Sequence, residues 1–198
     1  QKSLGIEDKY LNHRSILAEI SNAKDSLIGP QEYRATNVND FRKAKIGQCY
    51  EEYQKELLRS DAMDFDDMIF NTVQLLQDNE DVLNLYQNQF KYIIVDEYQD
   101  TSYAQYVLTY LLAGGHHNIC VVGDDDQSIY RFRGATIENI MRFKERYEDE
   151  GLKVIQLQLA ENYRSMQNIL DAANSVISNN KTRLADKRLR SYSGSAGE

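Results

Sequence analysis

An apolar run that ends abruptly in two carboxylates constrains this chain more than any other stretch. Tyr92-Ile93-Ile94-Val95 is followed at once by Asp96-Glu97, and then by Tyr98-Gln99-Asp100-Thr101. A continuous apolar run rich in β-branched residues suits a strand covered on both faces, as in parallel sheets. Acidic side chains just past the carboxyl end of such a strand sit where open α/β sheets bind their ligands. There they can hold a divalent metal through its waters and orient an attacking water beside a phosphate. Capping of the next helix is the structural alternative.

Around that stretch the hydrophobic rhythm changes once. Residues 1–60 read as helical: Ile16, Leu17, Ile20, Ala23 and Leu27 keep helical spacing, and Gly29-Pro30 is expected to stop that helix. Ile46, Cys49, Tyr50, Tyr53 and Leu57 mark a second amphipathic helix. Asp64 is a predicted N-cap for a third, with Phe65, Met68, Ile69, Thr72, Val73 and Leu76 as its buried stripe. A short helix through Val82, Leu83, Leu85 and Tyr86 leads into the acidic strand.

Beyond residue 91 the pattern is strand, loop, helix. Ser102 and Gln105 form a capping-box pattern, and Gly114-Gly115 closes the helix they open. A second strand, Ile119-Cys120-Val121-Val122, runs into Gly123-Asp124-Asp125-Asp126-Gln127. One helix is expected from about Thr136, and a third strand at Val154-Ile155-Gln156-Leu157 precedes Glu161-Asn162-Tyr163-Arg164-Ser165. A helix burying Ile169, Leu170, Ala173, Val176 and Ile177 follows. Such alternation implies parallel strands joined by crossovers.

Each strand end carries different chemistry. Asp96 and Glu97 supply carboxylates. Gln127 supplies a neutral amide able to touch a terminal phosphate and the attacking water. Arg164 supplies a cation able to stabilise charge on a transferring phosphoryl group, with a structural ion pair as the alternative. Tyr163 offers a ring for stacking on a base. Between the second and third strand ends, Tyr130-Arg131-Phe132-Arg133 alternates rings with guanidinium groups, which suits single-stranded nucleic acid; core packing plus surface charge would also account for it.

Composition supports these assignments by exclusion. With 41% hydrophobic and 27% charged residues the 198-residue chain is of globular type, and no apolar run is long enough to span a bilayer. A net charge of −8 argues against coating nucleic acid through overall basicity. Residues 181–190, with Lys181, Arg183, Lys187, Arg188 and Arg190 against Asp186, form a local basic patch or simply a solvated face. Cys49 and Cys120 read as reduced core residues of a cytoplasmic protein.

Asp96-Glu97-Tyr98-Gln99-Asp100-Thr101, the run from Gly123 through Ala135, and Asn162-Tyr163-Arg164-Ser165 resemble motifs II, III and IV of UvrD/PcrA/Rep-type superfamily 1 DNA helicases, in order and in spacing. Met63-Asp64-Phe65-Asp66-Asp67 resembles the acidic segment ahead of motif II, so the similarity covers essentially the whole chain. The resemblance implies an incomplete RecA-like parallel sheet with helices on both faces, preceded by an all-helical subdomain. It places residues 1–62 in a 1B-like helical subdomain, 63–150 in the latter part of motor domain 1A, and 151–198 at the start of motor domain 2A, with a disordered tail from about 191. It implies an ATP-dependent helicase acting with Mg²⁺ on single-stranded DNA and single/double-strand junctions, with 3′→5′ translocation and no membrane partner.

By the same resemblance Asp96 and Glu97 would hold the metal, Glu97 would be the catalytic base, and Gln127 and Arg164 would contact the γ-phosphate. Tyr163 would stack on adenine, and Tyr130, Phe132 and Arg133 would line the strand track; Phe132 departs from the family's usual tryptophan. A Gly-x-x-x-x-Gly-Lys-Ser/Thr loop and the family's late arginine motif are absent from these residues, implying an internal segment of a longer helicase that is inactive alone. The alternatives are a metal-dependent nuclease using Asp96, Glu97 and Asp124–Asp126, a non-catalytic single-strand-binding module, and a helicase subunit of a recombination nuclease complex.

Overall fold

A computed structural model of the chain describes residues 11–128, 134–181, 183–184 and 187–192. Its first third is helical. Asn12 caps α1 (His13–Asp25), accepting the Arg14 N–H at 2.9 Å, and the helix buries Ile16, Ile20 and Ala23. It stops at Asp25, ahead of Gly29-Pro30. Pro30 instead opens α2 (Pro30–Thr36), where its fixed φ suits helix entry and its missing N–H would have had no partner. The next helix, α3 (Phe41–Arg59), buries Ile46, Cys49 and Tyr50 as the spacing predicts. With Leu11 and Tyr33 these side chains form one core cluster.

A capping box opens α4 (Phe65–Asp78): Asp64 accepts the Asp67 N–H at 2.8 Å, and the Asp67 carboxylate accepts the Asp64 N–H at 3.3 Å. The predicted stripe holds only at Val73 and Leu76. Phe65 is 89% exposed and Met68 55%, while Asp67 and Phe70 are buried. The cause is a buried cation: Lys24 Nζ, on α1, lies 2.6 Å from Asp64 Oδ2 and 2.9 Å from Asp67 Oδ1. Turning Asp67 inward to meet it fixes the buried face at Asp67, Phe70, Val73 and Leu76.

After α5 (Glu80–Gln89) come β1 (Ile93–Val95), α6 (Tyr103–Ala113) and β2 (Ile119–Val121). The capping box of Ser102 and Gln105 forms as expected, and α6 ends at Gly114. The strands pair in parallel, Ile93 opposite Ile119 and Val95 opposite Val121. Crossover helix α6 packs on β1 and on α4. The expectation of helices on both faces is not met here: Ile94 is 74% exposed and Cys120 is exposed, so only Cys49 of the two cysteines is a core residue. A single crossover covers a single face of the pair.

Downstream, the helix expected from Thr136 is split at Arg142 into α7 (Glu138–Met141) and α8 (Phe143–Asp149). Residues 154–157 are not a strand. They run unpaired, with Ile155 73% and Leu157 80% exposed. An apolar run becomes a strand only where a neighbour takes up its N–H and C=O groups, and pairing occurs further on, between β3 (Glu161–Asn162) and β4 (Arg190–Ser191), again in parallel. Between them α9 (Gln167–Ile177) buries Leu170, while Ile169 and Val176 stay exposed. Of the expected tail, Ser191 is paired in β4, and residues 193–198 lie outside the described residues. Among the described residues the architecture is mixed helix with two small parallel sheets, compatible with an α/β domain.

Candidate functional site

Parallel pairing sets the ends of β1 and β2 side by side, so the loops after Val95 and Val121 share one rim. Val122 N–H donates to Val95 O at 2.8 Å and Tyr98 N–H to Val122 O at 2.9 Å, extending the contact past both strands. At the turn itself Glu97 adopts φ 49° and ψ 41°, the left-handed conformation disfavoured for a residue with a side chain. Strain of this kind persists where its surroundings enforce it, commonly at functional sites. Asp96 Oδ1 accepts the Glu97 N–H at 2.9 Å and steadies the turn.

A buried amide then joins the two loops. Gln99, 1% exposed, donates through Nε2 to Glu97 Oε2 at 2.8 Å and accepts the Asp124 N–H through Oε1 at 3.0 Å. A Cβ on Gly123 would meet Gln99 Oε1 at 2.7 Å, so only glycine lets this amide approach the second loop. Gln127 belongs to that loop, and its Nε2 donates to Asp124 Oδ2 at 2.7 Å. Glu97 and Gln127 are thereby brought to one rim through Gln99 and Asp124.

The same loop carries a compact acidic cluster. Carboxylate oxygens of Asp124, Asp125 and Asp126 lie within 4.8 Å of one another, a spacing open to a metal ion. The structure supplies a side-chain cation instead: Lys187 Nζ contacts Asp124, lies 2.7 Å from Asp125 Oδ1, and is 3.4 Å from Asp126 Oδ2. Arg183 pairs with Asp126 at 2.8 Å. Burial pushes the Asp124 carboxyl up, but hydrogen bonds from Lys187 and Gln127 outweigh it and hold its pKa below the usual value. Burial would lower the Lys187 pKa, and the aspartates raise it instead. Two cations of the 181–190 patch are thus engaged internally, and an acidic trio already paired with two cations is a poor nuclease centre.

Asp96 and Glu97 are the other carboxylates able to meet a hard divalent ion. Each has one carboxylate oxygen in a hydrogen bond, leaving the other for a metal-bound water, and Asp100 Oδ1 in the same turn is buried without a partner. Among the described residues, Tyr163 and Arg164 make their contacts outside this rim. Tyr163 is 73% exposed, packs against Tyr192 with centroids 4.5 Å apart and planes tilted by 34°, and donates its hydroxyl to Glu161 at 2.9 Å. Arg164 is exposed; its backbone N–H donates to Asn162 Oδ1 at 2.9 Å, and among the described residues it touches neither Asp96, Glu97 nor Gln127. Tyr130, Phe132 and Arg133 lie outside the described residues.

Both flanks of that segment are fixed. Ser128 Oγ donates to Gln99 O at 3.5 Å, and Ala135 bridges Ser102. Asn139 Nδ2 donates to Thr101 O at 3.1 Å and Ser102 O at 3.2 Å. Gly134, with φ 80°, sits against the Asp25 carboxylate at the end of α1, where a Cβ would collide. Gln99, Lys187 and Asp25 carry no assignment from the sequence. The first had a visible signal, an uncharged amide among three acids; the second is legible as charge complementarity between 181–190 and 124–126.

A β-α-β unit whose parallel strand ends bring carboxylates and an amide to one rim defines an α/β protein with a polar site at its strand termini. The chain belongs to the UvrD/REP helicase N-terminal domain family, whose model matches residues 1–148. It is 47% identical over 182 residues to the ATP-dependent DNA helicase PcrA of Staphylococcus epidermidis, covering 92% of this chain and 24% of the relative. The PcrA of Bacillus subtilis strain 168 is 44% identical over the same share of each chain, and that of Leuconostoc citreum 46% over 93% of this chain. The chain therefore spans about a quarter of the length of these relatives.

Proposed function

We propose that these residues form the coupling side of an ATP-dependent DNA helicase, with ATP as substrate and Mg²⁺ as cofactor. Residues 1–62 serve as a 1B-like helical subdomain, 63–150 as the latter part of motor domain 1A, and 151–198 as the start of 2A. The observation that carries this reading is the Gln99 bridge, which ties the Glu97 turn to the loop of Gln127. Asp96 would hold Mg²⁺, which supplies charge neutralisation on the phosphates when bound. Glu97 takes the proton of the attacking water, and Gln127 turns its amide to the terminal phosphate. Arg164 would reach that phosphate from the second motor domain, with Tyr163 stacking on adenine.

Tyr130, Phe132 and Arg133 follow Gln127 directly, so a change at the phosphate passes into the single-strand track within a few residues. Action on single-stranded DNA and its junctions, 3′→5′ translocation and a cytoplasmic setting complete the proposal; no helix among the described residues is long and apolar enough to cross a membrane. In the whole helicase, Glu97→Gln is expected to lower the kcat of DNA-stimulated ATP hydrolysis by about 10²–10⁴-fold while nucleotide still binds. Hydrolysis near the parent rate in that variant would overturn the assignment.

A further inference from the structure

Contacts from the described residues after α9 close over the Asp124–Asp126 turn. Besides the three carboxylates around Lys187 and the Arg183–Asp126 pair, Asn180 Nδ2 donates to Asp126 Oδ1 at 2.9 Å and Leu184 N–H to Asp125 Oδ2 at 2.7 Å. The side chains of Asp125 and Asp126 are left 4% and 6% exposed. Asp124 divides its carboxylate: Oδ1 receives Lys187 and the Asp126 N–H at 3.1 Å, and Oδ2 holds the Gln127 amide. Its backbone N–H meanwhile is held by Gln99, the partner of Glu97.

We propose that Lys187 is a positioning residue for Gln127: by fixing the Asp124 carboxylate it sets the orientation of the Gln127 amide and links it to the segment beyond Tyr163 and Arg164. A lysine suits the place. Three carboxylate oxygens converge on one point, which a compact ammonium fills and a planar guanidinium fork does not. Withdrawal of Lys187 would leave Asp124 Oδ1 with the Asp126 N–H alone, at 3.1 Å, and so loosen the restraint on Gln127, coupling the two halves of the site through this ammonium group. The inference rests on the proposed role of Gln127 at the terminal phosphate.

The test is a double-mutant cycle in the whole helicase, reading DNA-stimulated ATP hydrolysis. Lys187→Met is expected to lower kcat about 10-fold with the KM for ATP unchanged, and to cost nothing further on a Gln127→Ala background, since both changes remove one interaction. Losses that multiply in the double variant, or a Lys187→Met enzyme with full kcat beside an impaired Gln127→Ala, overturn this inference alone. A Gln127→Ala enzyme with full kcat overturns the proposed role of Gln127 and the inference with it. Should Lys187→Met fail to fold, Lys187→Arg decides: it keeps the charge without the convergence, so about a 3-fold lower kcat at the parent melting temperature is expected, and full kcat overturns the proposal.

Discussion

Single residues here bear charges in places that would be neutral by default. Asp25 ends α1 against Gly134 and close to Asp66; burial, then the Asp66 charge, push its carboxyl up to about 6, with a Ser102 hydrogen bond pulling the other way. Between roughly pH 4, where the unfolded group titrates, and about 6 the folded chain holds a proton that the unfolded chain has lost. Stability is therefore drained as pH rises through that window, and the ionised carboxylate is a burden at neutral pH. Asn keeps the shape without the charge. Discounted for partial solvent access, Asp25→Asn is expected to gain about 1–2 kcal/mol at pH 7.5 and nothing at pH 4. Urea unfolding of both proteins at the two pH values checks this; an equal difference at both would mean that the ionised carboxylate is not the cause.

At the scale of elements, α1 and α4 are joined through a buried ionic node as well as by apolar packing. Lys24 is 1% exposed; Tyr53 donates to Asp64 at 2.9 Å and Gln54 to Asp67 at 3.0 Å, so both acids are further satisfied. Burial raises the Asp64 pKa, yet the Lys24, Asp67 N–H and Tyr53 hydrogen bonds hold it below the usual value, so its contribution is present at neutral pH and lost on acidification. Lys24→Met strands two carboxylates and is expected to cost about 3–5 kcal/mol by urea unfolding. Arg34→Ala, which breaks the surface pair with Glu51, should cost less than about 1 kcal/mol. Equal losses would refute the node. Sequence patterning showed the longer helices, the Asp64 cap, the Ser102–Gln105 capping box and the β1–α6–β2 unit, because caps and periodicity are local. It missed the phase of α4, since a lysine from another helix sets it, and it made a strand of residues 154–157, whose pairing depends on a neighbour that no local pattern reveals.

The whole molecule is covered unevenly, and this bears on what it can do alone. Ile94, Leu157, Leu159 and Val176 are each at least 73% exposed, an apolar area that further sheet and helix would cover in a longer chain. The candidate site is uneven in the same way. Glu97, Gln99, Asp124 and Gln127 are linked across two strand ends by hydrogen bonds that, among the described residues, do not include Arg164. The carboxylates and the amide were legible because each sits near a strand end; Gln99 and Lys187 showed only as an amide among acids and a basic run, because their partners lie 25 and 63 residues away. No Gly-x-x-x-x-Gly-Lys-Ser/Thr sequence occurs among the 198 residues, so the backbone amides and lysine that would cradle a triphosphate are not supplied. A base without a held phosphate has nothing to direct water against. These residues alone are therefore expected to show no Mg²⁺-dependent, DNA-stimulated ATP hydrolysis. Phosphate release measured with and without single-stranded DNA checks this, and a rate above background that Glu97→Gln abolishes would show that the linked rim suffices on its own.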